Sequence, residues 1–133
     1  MIALMPPIEM LQRVPVLPLE RLQRQGIFTT GLLLEVSETP TRRQTLADQI
    51  RVDTTDVNAW RDEALLLNLA SFGPNEQALF TQAGIVGLAD LLELDLSELH
   101  ERLATAAHVL EMPLPDAIMI EGWWLQAHTL EEE

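Results

Sequence analysis

The chain has 133 residues, enough for one ordinary domain or for two small halves sharing a core. Its 47% hydrophobic and 22% charged content excludes wholesale disorder, and the absence of cysteine excludes disulfides, thiolate metal sites and cysteine nucleophiles. The net charge of −13 is uneven: residues 1–68 carry seven arginines and nine acids, whereas residues 69–133 carry twelve acids and Arg102 alone.

No apolar run approaches the roughly 18–20 residues that span a bilayer. The N-terminus, Met1-Ile2-Ala3-Leu4-Met5-Pro6-Pro7, is apolar but lacks a basic flank, which argues against a secretory signal. The expectation is a soluble cytoplasmic protein. There is no lysine, so every cationic side chain apart from histidine is an arginine.

Leu19, Leu22 and Gln23 begin a short helix that Gly26 ends, glycine being favoured just past a helix C-terminus. Thr29 or Thr30 caps a second short helix through Leu32–Glu35. Thr39-Pro40 starts a third, with threonine as N-cap and proline at the first helical position, which runs to about Ile50. Asp53, Thr54 or Thr55 caps a fourth, in which Val57, Trp60, Ala64 and Leu67 recur at spacings of three and four and share one buried face.

In the second half Gly73-Pro74 opens a helix that Gly84 terminates, and a short helix covers Leu88–Glu93. Asp95-Leu96-Ser97-Glu98 has capping-box spacing and starts a helix striped by Leu96, Leu99, Leu103, Ala106 or Ala107, and Leu110. Met112-Pro113-Leu114-Pro115 breaks the chain. A last helix begins at Pro115 or Asp116 and carries Ile120, Trp123, Trp124 and Ala127 before the acidic tail. No segment reads as a strand.

These halves repeat. Leu22–Phe28 followed by Leu32-Leu33-Leu34-Glu35 returns as Phe80–Val86 followed by Asp90-Leu91-Leu92-Glu93, at an offset of 58 positions. Leu46-Ala47 returns as Leu103-Ala104, and Val57, Trp60 and Ala64 return as Ile120, Trp123 and Ala127 at an offset of 63. Each copy is therefore read as one supersecondary unit. The reading is an all-α chain of two tandem units of about four helices each, with a pseudo-two-fold internal repeat. The boundaries are an apolar, proline-rich arm at 1–17, a first repeat at 18–68, a second at 69–130 and an acidic tail at 131–133.

Gly26–Leu34 with Thr39–Trp60, and Phe72–Leu92, resemble a bacterial family of unknown function built from paired helix-hairpin-helix-like units, over roughly residues 11–127. That resemblance implies a nucleic-acid module, in which backbone N–H groups at a glycine-rich hairpin and helix N-terminus grip a phosphate with arginine or lysine nearby. This chain departs from the pattern. Ser71-Phe72-Gly73-Pro74 keeps one hairpin glycine, and Pro15 stands opposite Gly73 in the first copy, where Pro15 and Pro18 offer no N–H. Arg21, Arg24, Arg42 and Arg43, with Gly73, form the candidate phosphate set. An acidic second half opposes it, because non-specific affinity for nucleic acid comes mainly from cationic contacts.

Chemistry is sparse. His100 and His108 lie eight apart on one helix, roughly 12 Å, too far to share a metal. No zincin, nucleophile-elbow or phosphate-loop motif is present. The expectation is a protein without catalytic activity, cofactor or metal. Trp60 and Trp123 take matched core positions, while Trp124 lies about 100° further round its helix and is a candidate partner contact. Met5, Ile8 and Leu11 of the arm are the other candidates. The arm either docks on a partner, covers its own fold, or mediates a homo-oligomer. The functional expectation is a protein–protein interaction module or assembly factor, with nucleic-acid binding through the first-half arginines as the alternative.

Overall fold

The computed structural model describes residues 6–132, with side chains through Leu130. Among them there is no strand, and one isolated antiparallel bridge joins Pro7 to Thr29. The helices are α1 (Val16–Arg24), α2 (Thr30–Val36), α3 (Pro40–Ile50), α4 (Thr54–Leu67), α5 (Pro74–Gln82), α6 (Leu88–Leu92), α7 (Leu96–Leu110) and α8 (Ala117–Glu132), preceded by a 3-10 turn at Ile8–Met10. The protein divides into two compact units, one ending at Asn68 and the other beginning at Leu69.

Local signals set the helix ends. The Thr29 hydroxyl accepts from the Leu32 N–H at 3.1 Å, and the Thr39 hydroxyl accepts from the Arg42 N–H at 3.1 Å. Asp95 and Glu98 cap reciprocally, at 2.7 and 3.2 Å. Gly26 and Gly84 take φ of 83° and 82°, and Ile27 and Ile85 then donate back to the Leu22 and Phe80 carbonyls at 3.0 and 2.8 Å. That pairing closes α1 and α5 and needs the left-handed conformation glycine adopts freely. Arg51 and Glu111 end α3 and α7 in the same conformation without being glycine, at about 1–2 kcal/mol each.

The first unit packs α4 against α2 and α3, with Val57, Trp60, Ala64, Leu66 and Leu67 buried against Leu33, Leu46, Ala47 and Ile50. Residues 6–15 belong to this unit. Ile8 and Leu11 are 0% and 4% exposed, so of the roles open to the arm these side chains take the one of covering their own fold. Backbone bonds fix them there: Ile8 N–H donates to the Phe28 carbonyl, and Thr30 N–H to the Pro6 carbonyl, both at 2.9 Å. Thr30, fully buried, also donates its hydroxyl to Pro6 and accepts from Asn68.

The most consequential tie is Glu63. It is 1% exposed, and its carboxylate accepts the Gln12 N–H at 2.6 Å and the Arg13 N–H at 3.0 Å. A buried carboxylate is tolerable only when its lone pairs are taken up in this way. Burial nevertheless dominates and raises its pKa above the ordinary carboxylate value, the two N–H donors and the Arg13 charge opposing that shift. A carboxyl whose pKa is raised on folding contributes stability in full below its unfolded pKa, and loses it as pH climbs through the folded value.

In the second unit α7 packs on α5 and α8, and α6 on α8. Phe72, Phe80 and Trp123 form an edge-to-face cluster with ring centroids 4.9, 5.9 and 5.4 Å apart. Of the α7 stripe, Leu99, Leu103, Ala106 and Ala107 are buried. Ala104, matched with Ala47 in the sequence comparison, is exposed whereas Ala47 is buried.

Glu63→Gln leaves one acceptor for two N–H donors and is expected to lower stability by about 1–3 kcal/mol near neutral pH. As pH rises above the ordinary carboxylate range, the wild type's advantage over this variant, read from urea midpoints, shrinks. An advantage that widens with pH would contradict the raised pKa.

Candidate functional site

The phosphate set does not assemble. Gly73 donates its N–H to the Glu76 carboxylate of its own helix at 2.9 Å, so the hairpin donor is already taken. At the N-terminus of α6 the Val86 and Gly87 N–H groups both point to the Asp90 carboxylate, at 3.0 and 3.3 Å. An internal carboxylate thus sits where an external anion would be held.

The arginines go to helix C-termini, where free carbonyls favour cations. Arg21 donates to the Ile50 carbonyl at the end of α3, at 3.0 Å. Arg42 reaches the Glu35 carbonyl at 3.2 Å and the Glu38 carboxylate at 3.8 Å, and Arg43 holds the Ser37 and Glu38 carbonyls at 2.8 and 3.2 Å. Arg61 also donates to Ser37, at 3.0 Å, and burial, reinforced by the Arg43 charge, lowers its pKa. The structure brings Arg42 and Arg43 together at the end of α2, sets Arg21 at the end of α3, and leaves Arg24 exposed on α1.

The partner-contact set is also redistributed. Trp124 is half-buried: its indole N–H donates to the Leu94 carbonyl at 2.9 Å, and its ring lies 4.2 Å from that of His128. It fastens α8 to the end of α6 instead of standing free. Ile8 and Leu11 are in the first unit's core, and Met5 lies outside the described residues. The His128 Nδ1 atom is buried without a partner among the described residues, while His100 is half-buried and His108 exposed on α7. Among those residues no three or more histidine, aspartate or glutamate side chains are grouped to hold a metal, and no helix is long and apolar enough to cross a membrane.

What the reading of the sequence missed is the outer face of α8. Ile120, Trp123 and Ala127 recur at spacings of three and four and are 0–2% exposed. On the opposite side Ile118, Gly122 and Leu125 recur at four and three; Ile118 is 84% and Leu125 50% exposed. Beside them a groove of about 300 Å³ is lined by Ala70, Ser71, Asp116, Ile118, Met119, Gly122, Trp123 and Gln126. Its far wall is held rigidly. The Trp123 indole N–H donates to the Ala70 carbonyl at 2.8 Å, the Gln126 side-chain oxygen accepts the Ala70 N–H at 3.0 Å, and Ser71 is locked at φ 60°. The signal was present in Ala117–Leu130, a helix apolar on both sides with a glycine in its interior.

Two other clefts are more polar. One of about 350 Å³ runs along α5 and α7 between Gln82, Glu101, Arg102, Thr105 and Val109, all exposed. One of about 200 Å³ in the first unit is lined by Gln25, Ile27, Arg42 and Gln49.

Among the described residues, eight α-helices in two compact units define an all-helical protein with an apolar groove on its last helix. The chain belongs to the family described as Domain of unknown function (DUF4332), whose model matches residues 18–130. No curated protein matches the chain, and no solved structure does.

A Cβ added at Gly122 meets nothing within 4 Å, and its φ is not in the left-handed region, so the fold itself has no use for glycine there. Gly122→Ala is expected to raise stability by about 0.5–1 kcal/mol in urea unfolding, the usual helix-interior difference. A loss of stability would show that Gly122 serves packing within the chain.

Proposed function

We propose that this protein is a non-enzymatic interaction module, an accessory or assembly factor that docks a protein partner along the outer face of α8 and the groove at Gly122. The observation that carries this reading is that α8 leaves Ile118, Met119 and Leu125 exposed beside a groove while Ile120, Trp123 and Ala127 on its other side are buried. An exposed apolar patch beside a groove is the usual mark of a contact surface. Covering Ile118 fully is worth about 1.5–3 kcal/mol, and completing the cover of the half-exposed Leu125 about half as much, before the cost of association.

We further infer that the two units are tandem copies of one helix-hairpin-helix-like design. Gly26 and Gly84 share one backbone conformation, Ile27 and Ile85 make the same return bond, and Trp60 and Trp123 are both buried. Binding of nucleic acid through that design is disfavoured. Glu76 and Asp90 already hold the N–H groups a phosphate requires, and Arg21, Arg42 and Arg43 are directed to carbonyls of the chain itself.

A photoreactive amino acid placed at position 118 and irradiated in the native host is expected to give one discrete protein adduct. The same residue at the exposed position 24 is the control for phosphate binding. Adducts to nucleic acid from position 24, with none to protein from position 118, would reverse the assignment.

A further inference from the structure

Resting on the docking reading above, we propose that the occupant of the α8 face is a cationic amphipathic helix, with an apolar anchor seated at Gly122 and basic residues toward the flanking acids. The shape of the site selects a helix. Helix α8 has no free backbone edge to which a strand can add, and Ile118 and Leu125 stand about 10 Å apart along its axis, two turns, which matches anchors seven apart on a partner helix. Between them Gly122 is exposed and carries no side chain, so a second helix can approach closely there.

Charge selects the sign. Glu121 is exposed next to Gly122, and the exposed Asp116 lines the groove, one carboxylate oxygen accepting the Met119 N–H at 2.8 Å. The whole second half holds twelve acids against Arg102, and that arginine is on α7. Pairing two copies of this face would set acid against acid across an apolar contact, whereas a basic helix meets opposite charge at its rim. The apolar centre and acidic border together specify one kind of partner, leucine-rich on one side and lysine- or arginine-rich on the other.

Two synthetic helical peptides test this with the full-length chain. They share one leucine face and carry either lysine and arginine or glutamate on the other, and binding is read by fluorescence anisotropy of a labelled peptide at two salt concentrations. The cationic peptide is expected to bind, weaken with salt, and exceed the anionic one by about tenfold or more. Gly122→Leu, whose Cβ has nothing within 4 Å and whose side chain fills the notch, is expected to weaken the cationic peptide by about tenfold or more at unchanged net charge. Circular dichroism and urea unfolding check that the variant folds.

Equal binding of both peptides, lost for both in Gly122→Leu, would overturn the charge selection and leave docking at the groove intact. Cationic binding that Gly122→Leu does not weaken would reduce the effect to bulk charge and overturn both readings, as would no binding of either peptide. A dimer by light scattering that Gly122→Leu dissolves would replace the basic helix with a second copy of this chain.

Discussion

The hydrogen bond from the Trp123 indole to the Ala70 carbonyl, 2.8 Å long, fixes the geometry of the second unit. A buried indole must place its N–H on an acceptor, and here that acceptor lies in the segment that opens the unit. With Trp123 turned inward among Phe72 and Phe80, the rotation of α8 is decided. Ile120 and Ala127 follow it into the core, and Ile118, Gly122 and Leu125 must face away. The same bond, with the Gln126 acceptor, pins Ala70 and Ser71 as the far wall of the groove. The core of this unit therefore creates its exposed face.

A second constraint governs what the surface does not offer. Helix ends leave free N–H and carbonyl groups, and this chain satisfies many of them with its own charges. Asp56, Glu76, Asp90, Glu98 and Asp116 accept N–H groups at the starts of α4, α5, α6, α7 and α8. Arg21, Arg42 and Arg43 take carbonyls at the ends of α3 and α2. Much of the acidic charge is thus structural as well as surface charge. A chain that satisfies its helix starts internally gives up the donor groups on which phosphate recognition by a hairpin depends.

The helix ends were legible because their signals are local: Thr39-Pro40, the Asp95–Glu98 box, and the glycines at 26 and 84 act within a turn or two. The buried faces of α4 and α8 were legible through spacing. Glu63 was legible in principle, since it follows Trp60 by three and precedes Leu67 by four and so shares their face. What spacing cannot supply is the partner. The N–H donors of Gln12 and Arg13 come from about fifty positions away, and Ile8 is held by the Phe28 carbonyl twenty positions on. Trp124 does point off the core face, but the Leu94 carbonyl on that side takes its indole, and no local pattern places Leu94 there. The outer face of α8 was overlooked because a periodic search rewards one apolar stripe, and a helix with two weakens the contrast it looks for.

The absence of cysteine allows a direct measurement of which face of α8 is free. Single-cysteine variants Ile118→Cys, Leu125→Cys, Ile120→Cys and Ala127→Cys are labelled with a thiol reagent in the native protein. Cysteines at 118 and 125 are predicted to react at the rate of an exposed thiol, and those at 120 and 127 to be protected until the unit unfolds. Protection at 118 and 125 in the isolated protein, or rapid labelling at 120, would contradict the account.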